Sequence, residues 1–188
     1  MEGEAFEDLL ELARRGDEWA ISCLFRALQP SLLRYLSRRA PAAAEDLAAE
    51  VWLALARGLA TFSGPAHELR ALLFTIARRR VADYYRARAR RPNLVHLDGD
   101  TCDPATTEDV AELAIGALSA EQAIDALVSQ LPSDQAEVVL LRVVADLSVD
   151  AVARVMGRRP GAVRVLQHRA LRTLARRFDS AATPTEVL

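Results

Sequence analysis

Apolar residues recur every three to four positions along most of the chain, the spacing that places them on one face of an α-helix. In residues 44–62, for example, Leu47, Val51, Leu55 and Leu59 follow one another at intervals of four. No segment shows the alternation of apolar and polar residues that is typical of a β-strand. The pattern predicts an all-α protein with helices at about residues 4–14, 17–38, 42–58, 67–90, 119–130, 133–145, 149–156 and 160–177.

Residues 92–118 interrupt this pattern, because they mix Pro, Gly, Asp and Thr without a sustained period. Pro92 ends the helix before them, since proline lacks an N–H and disfavours helix in the residue that precedes it. Ser119 and Gln122 then form a capping-box pattern that starts a new helix. We therefore expect two small helical domains, and the division is domain 1–91, linker 92–118, domain 119–178 and tail 179–188.

The charges are segregated along the chain, although the formal net charge is only −2. All 24 basic residues other than histidine are arginine. Residues 61–91 carry eight arginines and two acids, and residues 138–178 carry nine arginines and two acids. Residues 92–137 between them carry ten acids and no arginine. This layout predicts two basic surfaces, one in each domain, divided by an acidic linker.

Several function classes are disfavoured by what the sequence lacks. No apolar run approaches the roughly 18 residues that span a bilayer, and the acidic N-terminus is unlike a signal peptide, so we expect a cytoplasmic protein without membrane insertion. The two cysteines, Cys23 and Cys102, are expected to be reduced. His67, His96 and His168 show no metal-ligand spacing, and neither a Gly-rich phosphate loop nor paired catalytic acids occur. We expect no enzyme activity, no small-molecule substrate and no cofactor or metal.

Residues 148–177 carry the most specific signal, a predicted helix-turn-helix. Ser148 is a plausible N-cap for a short helix, and Gly157 suits the left-handed turn position after it. Pro160 suits the first turn of the next helix, where its missing N–H would be unpaired anyway. A short helix, a tight glycine turn and a second helix are typical of DNA-binding domains.

The second helix of this motif is divided into two faces by its rotation of about 100° per residue. Val163, Ala170 and Leu174 form an apolar back, with Leu166 and Leu171 at its flanks and Gln167 as a polar exception. The front carries Val165, His168 and Arg172, bordered by Arg164 and Arg169. An Arg/His front predicts a recognition helix in a major groove. The alternative is a solvated arginine-rich helix within an ordinary bundle.

The helix predicted at 67–90 has an apolar side and a crowded basic end. Its buried side is expected to consist of Leu69, Leu72, Leu73, Ile76, Ala77 and Val81. Arginines fill its C-terminal half together with Tyr84 and Tyr85. Arginine neutralises phosphate, and aromatic rings stack on bases that have left the duplex, so nucleic-acid binding is one interpretation. A solvated face that favours the helix dipole is the other.

Four collinear segments resemble the extracytoplasmic-function (ECF, group IV) sigma factors of bacterial RNA polymerase, in the sigma-70 family. The matching segments are GDEWAISCLFRALQPSLLRYLSRR for region 2.1, AEDLAAEVWLALARGLATF for region 2.2, ELRALLFTIARRRVADYYRARAR for regions 2.3 and 2.4, and LPSDQAEVVLLRVVADLSVDAVARVMGRRPGAVRVLQHRAL for region 4. The resemblance covers about residues 12–91 and 119–178. It implies a region 2 helical bundle and a region 4 helix-turn-helix.

The resemblance also implies roles for individual positions. The positions that match the helix docking on the polymerase β′ clamp are Asp46, Leu47, Glu50, Val51 and Trp52. The positions that match the surface capturing the −10 element are Phe62, Ser63, His67, Arg70, Arg78, Arg79, Arg80, Tyr84, Tyr85, Arg86 and Arg88. The positions that match the face entering the −35 major groove are Arg159, Gly161, Arg164, Val165, His168, Arg169 and Arg172.

The implied partners are the β and β′ subunits of core RNA polymerase, promoter DNA and an anti-sigma factor that holds the protein inactive. In the family the linker threads toward the polymerase active-site cleft, which suits an acidic chain. The sequence departs from the family pattern at several positions. Leu72 stands where relatives often have Trp, Arg79 where they have Asn and Ala49 where they have Gln, while Leu166 and Gln167 shift the apolar position of the recognition helix.

Two rival functions remain open from the residues alone. One is an autonomous helix-turn-helix regulator that binds duplex DNA without polymerase. The other is a helical protein-interaction module whose arginines meet an acidic partner. The 44–62 and 62–91 segments disfavour the first, because a simple repressor needs no single-strand surface. The glycine-punctuated helix-turn-helix disfavours the second.

Overall fold

The computed structural model describes residues 4–90 and 128–181, with Glu4 and residues 177–181 described by their backbone alone. The α-helices in these ranges are α1 (Glu4–Arg14), α2 (Glu18–Arg39), α3 (Ala44–Leu59), α4 (Ala66–Arg90), α5 (Ser133–Val139), α6 (Val149–Met156) and α7 (Pro160–Ala181). A 3₁₀ turn, Pro41–Ala43, precedes α3, and a π-helical turn, Leu140–Val144, follows α5. The described residues contain no strand, so the all-α prediction is confirmed.

The predicted helix bounds agree closely with the observed ones, with one exception. The segment 133–145 is α-helical only as far as Val139 and then widens into the π-helical turn. The predicted linker 92–118, its acidic character and the Ser119 capping box lie outside the described residues, as do most of the helix predicted at 119–130 and the end of the tail.

Helices α1 to α4 form an N-terminal bundle around a core of leucine and aromatic side chains. Asp17 caps α2 by accepting a hydrogen bond from the Ala20 amide at 2.7 Å. Tyr35 and Phe74 meet edge to face in the core, with ring centroids 5.4 Å apart. The fully buried leucines are Leu10, Leu28, Leu32, Leu36, Leu69 and Leu73.

Helices α5 to α7 and the π-helical turn form a C-terminal unit with its own apolar interior. Val138, Leu141 and Val152 are fully buried there, and Val163 and Ala170 bring the back of α7 into the same core. This unit contains the predicted helix-turn-helix.

The two units pack directly against each other. Helix α6 lies on α4, and the π-helical turn lies on α2, so that the buried residues of both halves form one continuous cluster. The helical periodicity predicted each unit but not this contact. None of the helices among the described residues combines the length and apolar character needed to cross a membrane.

Candidate DNA and partner-binding surfaces

The helix-turn-helix geometry predicted for residues 148–160 is confirmed. Ser148 accepts a hydrogen bond from the Ala151 amide at 3.2 Å and thereby caps α6. Gly157 has φ +63° and ψ +36°, a left-handed backbone conformation that is unfavourable for residues with a Cβ. Helix α7 begins at Pro160, two residues after the short turn. The turn therefore fixes the angle at which α7 leaves the C-terminal core.

Helix α7 buries its apolar back and exposes its basic front. Val163 and Ala170 are fully buried, whereas Leu171, expected at the flank of the apolar face, is 54% exposed. Gln167 is only half-buried, so water reaches part of its side chain. The predicted −35 residues are all exposed, namely Arg159, Gly161, Arg164, Val165, His168, Arg169 and Arg172. Their geometry suits a groove-reading face, and their contacts with DNA stay a prediction.

The C-terminal end of α4 presents the second basic surface. Arg79, Arg86 and Arg88 are exposed, and Arg86 pairs with Asp83 at 2.9 Å. The rings of Tyr84 and Tyr85 meet at 73°, with centroids 5.2 Å apart. The Tyr85 hydroxyl donates to the Arg39 carbonyl at 2.8 Å, which anchors one aromatic ring beside the arginines. The arginines and the Tyr85 ring are thus exposed to solvent near the end of α4, whereas Tyr84 is half-buried against the core.

Three other arginines of α4 predicted to bind the −10 element are paired within the protein. Arg70 lies 3.9 Å from Asp146 and donates to the Ala145 carbonyl at 3.4 Å. Arg78 lies 3.7 Å from Glu137. These two pairs join the N-terminal bundle to the C-terminal unit. Arg80 instead pairs with Glu50 of α3 at 3.6 Å, within the bundle.

Glu137 is the centre of a buried polar cluster between the two units. It is 3% exposed, accepts a hydrogen bond from the Tyr35 hydroxyl at 2.6 Å and pairs with Arg39 at 3.0 Å. Burial, followed by the nearby Glu137 carboxylate, raises the pKa of Tyr35 well above its usual value, so the hydroxyl stays a proton donor. Sequence reasoning missed Tyr35 and Glu137, because neither carries a local signal of its distant partner.

The segment of residues 62–67, called the 62–67 loop here, runs from the connection between α3 and α4 into the first two residues of α4 and contains three predicted −10 residues. Ser63 and His67 are exposed, while Phe62 is half-buried. The Arg14 guanidinium lies 5.4 Å from the centroid of the Phe62 ring and also donates to the Gly64 carbonyl. The loop therefore offers two polar side chains to solvent while α1 holds its inner side.

The residues of α3 predicted to bind polymerase divide into two groups. Asp46 and Glu50 are exposed on one side of the helix, and Trp52 is half-buried beside α2. Leu47 and Val51, however, are 5% and 0% exposed, and they belong to the stripe that packs α3 into the bundle. Their assignment to a contact surface does not fit the structure, because the bundle core covers these side chains and leaves almost none of their surface for a partner.

An apolar surface on α2 and α3 was not identified from the sequence. Ile21 and Phe25 of α2 and Leu53 of α3 are 41%, 42% and 59% exposed. The Phe25 ring lies 4.9 Å from the Trp52 ring, and the Trp52 indole donates to the Gln29 side chain at 2.5 Å. Exposed apolar residues beside acidic ones form a surface suited to a protein partner. Their i, i+4 spacing on α2 was the available signal.

Comparison with known proteins places both halves of the chain in one family. Residues 24–91 match the family described as Sigma-70 region 2, and residues 121–174 match that described as Sigma-70, region 4. The solved structure of CnrH in complex with the cytosolic domain of CnrY has the same fold, with a TM-score of 0.65 at 19% identity over 94% of this chain and 99% of that chain. The sigma factor RpoE from Bartonella quintana, solved in complex with the anti-sigma factor NepR, has a TM-score of 0.62 at 22% identity over 82% of this chain and 93% of that chain.

Two curated relatives are more similar in sequence. The ECF RNA polymerase sigma factor ShbA of Streptomyces griseus is 33% identical over 88% of this chain and 91% of its own length. The ECF RNA polymerase sigma factor BldN of Streptomyces coelicolor is 36% identical over 90% of this chain, which spans 64% of the length of BldN. With regions 2 and 4 in the expected order and identity above 30% over most of its length, this chain belongs to the ECF RNA polymerase sigma factors.

Proposed function

We propose that this protein is an alternative sigma factor that binds core RNA polymerase, recognises the −35 and −10 promoter elements and promotes DNA melting for transcription initiation. The observation that supports this most directly is α7, which exposes an Arg/His face while its opposite face is fixed in the core behind the Gly157 turn. An α-helix presented in this way fits the major groove of duplex DNA. The protein would act in the cytoplasm, where polymerase meets the promoter, and it performs no chemistry of its own.

The −10 element would be bound by the other basic surface. Exposed arginines at the end of α4 would neutralise phosphates of a separated strand, and the rings of Tyr84 and Tyr85 would stack on unpaired bases. Unstacking a base costs a few kcal/mol, and capture of the base by Ser63, His67 and the rings would offset that cost. We assign residues 1–91 and 119–178 to these two tasks.

Core polymerase would dock on the exposed side of α2 and α3. Asp46 and Glu50 supply negative charge there, and Trp52, Phe25 and Leu53 supply apolar area. A surface of this composition resembles a binding site with a charged rim and an apolar centre. Leu47 and Val51 would contribute only by holding α3 in place.

An anti-sigma factor would hold the protein inactive by covering these surfaces. Two proteins with the same fold, CnrH and RpoE, were solved with bound partners, and the partner of RpoE is an anti-sigma factor. The exposed Ile21, Phe25 and Leu53 offer such a partner an apolar contact surface.

The proposal is tested by pull-down with core polymerase followed by run-off transcription from a promoter library. A sigma factor retains the core enzyme and yields transcripts that share −35 and −10 motifs. Binding to duplex DNA without retention of polymerase would instead support an autonomous regulator. Retention of polymerase without any promoter-dependent transcript would contradict the proposal.

A further inference from the structure

Helix α1 contacts the loop of residues 62–67 at three points. The Arg14 guanidinium donates to the Gly64 carbonyl and packs 5.4 Å from the centroid of the Phe62 ring. Glu7 accepts a hydrogen bond from the Ala66 amide at 2.8 Å and so satisfies an N–H at the first residue of α4. These contacts join residues that are 50 and 59 positions apart in the sequence.

The spacing of Glu7 and Arg14 lets one helix hold both ends of the loop. Seven residues are close to two helical turns, so the two side chains lie on the same side of α1, about 10 Å apart along its axis. Leu9, Leu10 and Ala13 are buried and anchor the adjoining face of α1 in the bundle. The loop is therefore held by a helix that is itself packed in the bundle core.

Gly64 shows that the loop is closely fitted. A Cβ added to Gly64 would lie 2.7 Å from the Glu68 carboxylate and 2.8 Å from the Phe62 ring. A real Cβ does not approach other atoms so closely, and the ring cannot move away freely because the Arg14 guanidinium lies against it. The same arginine thus holds the backbone and the aromatic side chain of the loop.

We infer that α1 is a positioning element for base recognition, with Arg14 and Glu7 setting the conformation in which Ser63 and His67 face the DNA. The match to Sigma-70 region 2 begins at residue 24, so it does not include α1. The inference rests on the proposed role of the loop in capturing a −10 base. Arg14 and Glu7 are positioning residues, because they contact the loop and not the nucleic acid.

The test compares Arg14→Gln with Arg15→Gln. Both arginines pair with Glu11, at 3.2 Å and 3.0 Å, but among the contacts described only Arg14 reaches the loop. The first measurement is hydrogen exchange in the peptide covering residues 60–70, which needs neither polymerase nor DNA. Faster exchange in Arg14→Gln and Glu7→Ala, with unchanged exchange in Arg15→Gln, is expected.

The second measurement is binding of −10 non-template oligonucleotides with each of the four bases at the captured position, using assembled holoenzyme. In Arg14→Gln we expect the ratio of the affinities for the preferred base and the other bases to fall about fivefold to tenfold, which is the equivalent of one hydrogen bond. Retention of core polymerase should stay normal. Arg14→Lys, which keeps a hydrogen-bond donor at this position, should recover part of the lost base discrimination. Unchanged exchange, or unchanged discrimination despite faster exchange, would overturn the inference. If wild-type holoenzyme does not discriminate, the proposed function of the loop fails instead.

Discussion

The Tyr35 hydroxyl donates a hydrogen bond to the Glu137 carboxylate across 2.6 Å, although the two residues are 102 positions apart. Tyr35 belongs to α2 of the N-terminal bundle, and Glu137 belongs to α5 of the C-terminal unit. Both are almost fully buried, so their contact is shielded from solvent. Hydrogen bonds to a charged group in such surroundings are stronger than those between neutral groups.

Tyr35→Phe should lower the free energy of unfolding by about 1.5–3 kcal/mol, because it removes a donor from a buried carboxylate. Chemical denaturation at neutral pH measures this. Tyr85→Phe is the matched control, since the Tyr85 hydroxyl donates to a backbone carbonyl at an exposed position and its loss should cost less than 1 kcal/mol. Equal losses in the two variants would contradict the special role of the Tyr35 contact.

Stability should also fall at alkaline pH through Tyr35. Because burial raises the pKa of this hydroxyl in the folded protein, its contribution is complete below the unfolded value of about 10 and is lost as pH rises toward the folded value. Denaturation measured from pH 8 to 11 should show a decline above about pH 10 that is shallower in Tyr35→Phe. The same decline in both proteins would assign it to other groups.

Gly157→Ala should destabilise the C-terminal unit by about 1 kcal/mol, because φ +63° strains any residue with a Cβ. Gly161→Ala provides the contrast. Gly161 lies in the first turn of α7, a Cβ there meets no atom within 4 Å, and alanine favours helix, so stability should stay equal or rise. Thermal unfolding compares the two variants, and a loss in Gly161→Ala as large as in Gly157→Ala would argue against the turn as the cause.

Arg164→Ala should weaken binding to the preferred −35 sequence by about 1–3 kcal/mol and relax the preference at one base pair, if the guanidinium reads a base edge. Fluorescence titration of holoenzyme with −35 variants measures both effects. Arg176→Ala removes the same charge from the same helix beyond the predicted face and should leave the preference unchanged. Uniform weakening on every sequence in Arg164→Ala, with a shallower salt dependence, would mark a phosphate contact instead.

Asp46→Arg should abolish retention of core polymerase and therefore transcription, because it reverses a charge on the exposed side of α3. Asp8→Arg reverses an equally exposed charge on α1 and should leave retention intact. Co-purification with the core enzyme, followed by run-off transcription, measures the effect. Normal holoenzyme assembly by Asp46→Arg would remove this residue from the docking surface.

Local features were the predictable part of this structure. Three features depend on backbone chemistry within a few residues, so the local sequence alone indicates them. They are the Ser148 cap, the Gly157 turn and the start of α7 at Pro160. The stripe from Leu47 to Leu59 likewise predicted burial by its spacing. Where the family resemblance assigned Leu47 and Val51 to a partner surface, the periodicity of the stripe was the better guide.

Contacts between distant segments could not be predicted in this way. Glu137 lies between the buried Ala136 and Val138, and no helical pattern indicates which cation or hydroxyl meets a buried acid. The hydrogen bond from Ala66 to Glu7 depends on how α1 packs, and packing follows from the shape of the whole core. The partner of Arg70 was equally unpredictable. Arg70 was assigned to the DNA-binding surface, but in the folded protein it pairs with Asp146 of the C-terminal unit.

Helix α4 runs without interruption for 25 residues, which is about 37 Å. Its first residue adjoins the loop that α1 holds, and its last turns carry the exposed arginines and the two tyrosines. In the proposed function, the helix would hold the point of base capture and the point of strand contact about 37 Å apart, which equals about 11 steps of a duplex. A tilt of about 5° at one end would displace the other end by only about 3 Å, so the packing of this single helix would set how far apart the two DNA contacts lie.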